Sequence, residues 1–160
     1  TSTEFNIAAG QFRVYKLNDL NAANGSCWEL TINKAYNSTE WLASNMLVFI
    51  GDEDSKFAKI SANTPKKDSD EVYVSFLNAF KPDEETNKVK EFIFLNGVKI
   101  GEPVVLSFTI TKKNEVKIVS KNRLYSYDLG FSPVEIGFGA SSSYSTIKQL
   151  NLNECKKQKP

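Results

Sequence analysis

Apolar residues recur at every second position along most of the chain, and that period admits little besides strands with one buried face. Phe12 and Val14 alternate with Arg13 and Tyr15; Trp28, Leu30 and Ile32 with Glu29, Thr31 and Asn33; Val72, Val74 and Phe76 with Tyr73 and Ser75. The pattern continues through Leu106, Phe108 and Ile110, through Val116 and Ile118, and through Val134, Ile136 and Phe138. About ten to twelve such segments can be counted. Turn-forming residues separate them, at Asn24-Gly25, Gly51-Asp52, Lys81-Pro82-Asp83, Asn96-Gly97, Lys112-Lys113-Asn114 and Ser132-Pro133. Asn96-Gly97 is the strongest signal, because both residues tolerate the positive φ of a tight hairpin. Helical patterns are scarce: residues 83–90 suit a turn or two, and 36–45 is ambiguous. Many short strands without crossover helices predict an all-β sandwich or barrel with Phe12, Phe76, Phe108 and Phe138 in its core. Ile147 and Leu150 fall out of step, which predicts a bulge in the last strand.

A chain of 160 residues suits one domain, placed at 1–155 with a basic tail at 156–160. Hydrophobic residues at 41% and charged residues at 24% are ordinary for a packed globule. Lys and Arg number 20 against 19 Asp and Glu, and a net charge of +1 gives no long-range field to collect phosphate backbones. Nucleic acid is therefore not an expected partner. No run approaches the roughly 20 apolar residues of a membrane-spanning helix, so no membrane insertion is expected. The sequence opens at Thr1 without Met, as it does after a leader or a tag is removed.

Cys27 and Cys155 lie too far apart for a CxxC redox pair or a zinc knuckle. Two readings remain, free buried thiols or one disulfide. The disulfide is favoured; closing so long a loop is worth on the order of 4 to 5 kcal/mol in the chain-entropy model. Two glycosylation sequons, Asn24-Gly25-Ser26 and Asn37-Ser38-Thr39, fit the same oxidising compartment. A secreted, extracellular glycoprotein is the expectation.

The chain contains no histidine, which removes the usual general base, the commonest transition-metal ligand and every Ser-His or Cys-His pair. Glycosidases need only two carboxylates, but the Glu-x-Asp-x-Glu arrangement that would set them on one strand face is absent. No catalysis is expected. Asp52 and Asp54, two apart after a strand, could converge on a Ca²⁺ ion; otherwise no cofactor is implied. Tyr15 and Tyr73 alternate with apolar residues and should face outward, Tyr125 and Tyr127 share a strand face, and Tyr36, Trp41 and Tyr144 lie in or beside loops. Rim aromatics on a rigid β scaffold can stack on a sugar ring or anchor a protein partner.

The segments LSFTITKKNEVKIVSK, LYSYDL and PVEIGFGASSSYSTIKQLNL resemble the closing strands of the concanavalin A-like lectin/glucanase superfamily, where an Ile-Gly-Phe-type strand leads through a small-residue loop into a final strand. Laminin G-like domains, many carbohydrate-binding modules and the farnesoic acid methyltransferase-like domain are similar in that layout. The resemblance implies a two-sheet antiparallel jelly roll and a non-catalytic binding role, most often for a glycan. Legume-type lectins hold Ca²⁺ and Mn²⁺ through a histidine-containing set that this chain lacks, and only Asn122-Arg123-Leu124 is similar to a fragment of a galectin strand. No family sugar-binding residue carries over. The combined expectation is an extracellular carbohydrate-binding domain using Trp41 and Tyr36, or Tyr125 and Tyr127, with Tyr144 as a further contact. The alternatives are a laminin G-like adhesion or structural module with an extracellular protein partner, and a β-barrel carrier of small apolar ligands.

Overall fold

The computed structural model describes residues 2–17, 20–38, 40–53, 56–82 and 89–157, and there the alternation is realised as antiparallel strands. These are β1 (Ser2–Leu17), β2 (Cys27–Ala35), β3 (Ser44–Ile50), β4 (Phe57–Asn63), β5 (Glu71–Pro82), β6 (Val89–Lys99), β7 (Val104–Ile110), β8 (Glu115–Ser120), β9 (Arg123–Asp128) and β10 (Glu135–Leu150). Two short helices, α1 (Leu20–Ala23) and α2 (Leu152–Lys157), complete the described elements.

Hydrogen bonds link the strands in the order β6-β5-β4-β3-β10-β2-β7-β8-β9, with β1 also paired to β10. That order folds into two layers at β10. Its first half pairs with β3 and its second half with β2, while β1 follows it along both halves. Sheet I thus comprises the end of β1, the start of β10, then β3, β4, β5 and β6; sheet II comprises the remaining halves with β2, β7, β8 and β9. Aromatic contacts bind the layers face to face. Phe49 meets Phe108 edge-on at 5.0 Å, Trp28 meets Phe138 at 4.9 Å, and Phe76 stacks on Tyr127 at 4.8 Å. The facing side chains fill the space between the sheets, where a carrier would need a ligand cavity.

The crossing from one sheet to the other is made by Ser141-Ser142-Ser143. Ser142 has φ 41°, and opposite it β1 shifts register between Ile7 and Phe12 around Gly10, whose φ is 80°. The Gly10 N–H donates to Ser142 Oγ at 2.9 Å, so the two strands bend together. Just inside this corner the fully buried Asn45 donates through Nδ2 to the carbonyls of Thr31 at 3.2 Å and Thr146 at 3.0 Å. A β3 side chain thereby bonds to both neighbouring strands of sheet II.

Several sequence expectations are corrected. Phe12 is 58% exposed and not part of the core; it lies with Val14 on the outer face of sheet I, while Tyr15, on the opposite side of β1 with its ring 5.6 Å from Phe5, stays 48% exposed at the sheet edge. Val134 is exposed ahead of β10. Asn96-Gly97 makes no hairpin. Gly97 has φ 74° within β6, where the three residues from Val72 to Val74 oppose the four from Leu95 to Val98, so its positive φ serves a bulge. The tight β8–β9 turn instead uses Lys121 and Asn122, both with positive φ. Of the ambiguous segment 36–45, residues 36–38 and 40–43 are loop and Ser44 and Asn45 open β3; of the turn expected at 83–90 only Val89 and Lys90 fall among the described residues, in β6.

The last strand shifts register between Tyr144 and Ser145, not between Ile147 and Leu150. Ile147 faces the core opposite Leu30, whereas Leu150 points to the outer face opposite Cys27. Ile147 is buried in the core and Leu150 under α2, which lies against the outer face: Asn151 caps it through the Glu154 N–H, and Glu154 reaches Lys148 at 3.1 Å. Cys155 is bonded to Cys27 across 128 residues of chain, with Cα atoms 6.0 Å apart. Replacing both cysteines by alanine is expected to cost up to about 5 kcal/mol, or roughly 10–20 °C in Tm. Calorimetry of the double variant checks this, and an unchanged Tm would contradict it.

Candidate functional site

The residues of sheet I that do not enter the core form a continuous outer face. From β1 to β5, register sets Phe12 beside Ser141, Ser44, Asn63 and Tyr73; Val14 beside Gly139, Met46, Ser61 and Ser75; and Lys16 beside Gly137, Val48, Lys59 and Leu77. A groove of about 380 Å³ runs over the β1, β10, β3 and β4 part of this face, lined by Phe12, Val14, Met46, Val48, Ile50 and Phe57 among others. Two glycines make its floor. A Cβ on Gly139 would lie 2.8 Å from both the Arg13 carbonyl oxygen and Val14 Cγ2, and one on Gly137 would lie 3.1 Å from the Tyr15 carbonyl oxygen. The side chain of Val14 can lie across β10 only because both are glycine.

Trp41 closes one end of the groove. It is 49% exposed, and its ring meets that of Phe12 at 5.1 Å with a tilt of 53°. Its loop is strapped to the β10 corner by hydroxyls: Ser142 Oγ donates to the Trp41 carbonyl at 2.5 Å and Ser141 Oγ to the Leu42 carbonyl at 2.6 Å. With the Ser141 proton committed, Ser44 Oγ is the donor in the 2.7 Å bond between those two hydroxyls.

Beyond the groove the face becomes polar. Ser61 Oγ donates to Asn63 Oδ1 at 2.5 Å, Asn63 Nδ2 donates to the Ser61 carbonyl at 2.9 Å, and Ser75 Oγ donates to Glu91 Oε2 at 3.0 Å. Lys59 lines the groove at the boundary. Burial lowers its pKa from the ordinary lysine value, an effect the Glu91 carboxylate opposes. Burial, helped by the same carboxylate, raises the Tyr73 phenol.

The aromatic and acidic residues expected from sequence are dispersed. Trp41 is at the groove. Tyr36 and Tyr144 form a different group around β1, β2 and β10: Tyr36 donates to Asn6 Oδ1 at 2.7 Å, Lys34 Nζ stands 5.8 Å from its ring centre, and the Glu4 carboxylate raises the Tyr144 phenol. Tyr125 and Tyr127 point between the sheets, where Tyr125 packs on Phe94 at 4.8 Å and Tyr127 on Phe76 and Phe92 at 4.8 and 5.3 Å. Their rings are partly buried and pack against the core edge. Asp52 accepts from Lys56 Nζ at 3.0 Å, which lowers its pKa; Asp54 lies outside the described residues. Among the described residues no cluster of three or more carboxylate or thiol groups is arranged to hold a metal ion. Sequence reasoning missed Phe12, Val14, Gly137 and Gly139 as site residues. The signal available was the alternation of two glycines with Ile136 and Phe138 in one strand.

No protein-family model and no curated protein sequence matches the chain. Solved structures do. A prokaryotic β-1,3-1,4-glucanase (lichenase) derived from a mouse hindgut metagenome superposes with a TM-score of 0.51 at 10% identity, over 84% of this chain and 67% of the enzyme. The carbohydrate-binding module CBM66 from Bacillus subtilis gives 0.50 at 14% identity, over 88% of this chain and 93% of the module. Galectin-Ib of Xenopus laevis gives 0.45 at 11% identity, over 88% of this chain and 100% of the lectin. The architecture is the two-sheet antiparallel jelly roll that the lichenase and CBM66 structures share. The expectation that the chain is no enzyme is corrected here, because a glucanase is built on this architecture and the fold therefore leaves catalysis open.

Two outcomes follow from the groove's construction. Gly139→Ala should destabilise by about 1–3 kcal/mol, since its methyl group meets backbone and cannot be relieved by a rotamer change; urea unfolding measures the loss. Lys59→Met should stabilise the protein at pH 7. A lowered folded-state pKa means that the charged form is penalised in the fold; the penalty is full below that pKa and is lost as pH rises through it toward 10.5. The gain from Lys59→Met should shrink over that interval, as Tm measured against pH will report.

Proposed function

We propose that this chain is a carbohydrate-binding domain of a secreted protein and that its ligand lies in the groove on the outer face of sheet I. The observation that carries this reading is the exposed Trp41–Phe12 pair, two rings 5.1 Å apart at the end of a groove beyond which the same sheet face carries hydroxyl, amide and carboxylate groups. Stacking of a pyranose on a tryptophan face needs an exposed, immobilised ring, and the two serine hydroxyls that grip the Trp41 and Leu42 carbonyls supply the immobilisation. Sugar hydroxyls require paired donors and acceptors, which Ser44, Asn63 and Glu91 offer along this face. Among the proteins that share the fold, CBM66 is a carbohydrate-binding module and the lichenase a β-1,3-1,4-glucanase, which supports a saccharide as the ligand class. The disulfide between Cys27 and Cys155 supports an oxidising compartment.

One observation favours a second reading, a laminin G-like module that binds protein. The groove lining is largely apolar, with Val14, Met46, Val48, Ile50 and Phe57 in one run, and such a surface also suits the side chains of a protein partner.

A glycan array followed by calorimetry separates the two. Trp41→Ala should weaken glycan binding by about 1–3 kcal/mol, ten- to a hundredfold, at unchanged Tm. An array on which no glycan is retained, or a Trp41→Ala variant that binds as well as the parent, refutes the carbohydrate reading. Reducing-sugar release from soluble β-glucans, measured on the same preparations, reports any hydrolysis.

A further inference from the structure

Lys59 is a desolvated charge in the groove, offset only in part by the Glu91 carboxylate two strands away. The charged side chains that line this groove are Lys16 and Lys59, and no carboxylate lines it. Lys16 stands 3.8 Å from Glu135 Oε2. Lys59 has neither an ion pair nor a hydrogen bond among the described residues, and its cross-strand neighbours are Val48 and Leu77. The titratable groups nearest to it on the packed strands are Glu91 on β6, whose Oε2 already accepts from Ser75, and the Tyr73 phenol on β5. An ammonium group held in apolar surroundings with no carboxylate in contact is costly, and a bound anion in contact with it reduces that cost while a neutral ligand does not.

Position along the face adds a length requirement. From Phe12 to Lys59 is three strand spacings across the sheet and four residues along it, roughly 20 Å. One sugar ring cannot touch both. Resting on the carbohydrate reading, we infer that the groove selects an acidic oligosaccharide, with one ring on the Trp41–Phe12 pair and a uronate carboxylate of a later unit on the Lys59 ammonium.

The test is calorimetric titration at low ionic strength with three linear oligosaccharides of equal length: an oligouronide, a neutral β-glucan oligomer and a sulfated oligomer. The wild type should bind the oligouronide at least about tenfold more tightly than the neutral oligomer. In Lys59→Met that ratio should collapse toward one, and in Lys59→Arg it should be largely kept; the Tm of each variant shows that it is folded. A ratio near one in the wild type, or the same ratio in Lys59→Met, overturns the acidic selectivity while leaving the carbohydrate reading intact. Preference for the sulfated oligomer over the oligouronide, lost in Lys59→Met, overturns the assignment of a carboxylate. If none of the three binds, the carbohydrate reading fails and the selectivity with it.

Discussion

The bend of β10 at Ser141-Ser142-Ser143 is the constraint on which the rest of the structure depends. One strand serves both sheets, so the point at which it turns fixes where β3 leaves β2 and how the layers are offset. Small residues are needed there because β1 must turn alongside, and the bond from the Gly10 N–H to Ser142 Oγ couples the two bends. The same hydroxyls that satisfy a distorted backbone also hold the carbonyls of Trp41 and Leu42. Fold and groove are therefore built by the same few residues. Displacing the corner would move the Trp41 ring relative to Phe12 as surely as it would unpair the strands.

How much of this the sequence revealed follows from what a period of two can carry. It reports that neighbouring residues lie on opposite faces, and the strands at Trp28–Ile32, Val72–Phe76 and Leu106–Ile110 were legible for that reason. It does not report which face is covered. In β1 both faces carry aromatic residues, so Phe12 and Tyr15, on opposite sides of the strand, could be distinguished only by the partner strand, whose glycines lie on the groove side. Leu150 misleads for a related reason: an outward residue appears buried when a helix tethered by a distant disulfide lies over it.

The site was less legible than the fold. Trp41 could be found because an aromatic residue in a polar loop has few structural uses. Tyr125 and Tyr127 could not be excluded, since sharing a face is equally true of a binding strip and of a core edge. Met46 and Val48 alternate with Leu47 and Phe49 in an unbroken apolar run, so nothing local marks them as groove lining. Only the pairing of β3 with two outward glycines of β10 leaves space above them.

Lys59 shows why a site of this kind conflicts with stability. Its cross-strand neighbours Val48 and Leu77 are apolar, and a methionine in its place would extend the same surface without a desolvated charge. In the interior Asn45 makes two hydrogen bonds across the layers through Nδ2, and Asn78 donates to the carbonyls of Asp128 and Leu129 at 3.0 and 2.9 Å. Lys59 has no such bond among the described residues, and it lies on the groove lining and not in the core. Unlike the two asparagines, it contributes no hydrogen bond to the fold among the described residues, so its charge there costs stability without a return in backbone or side-chain bonding.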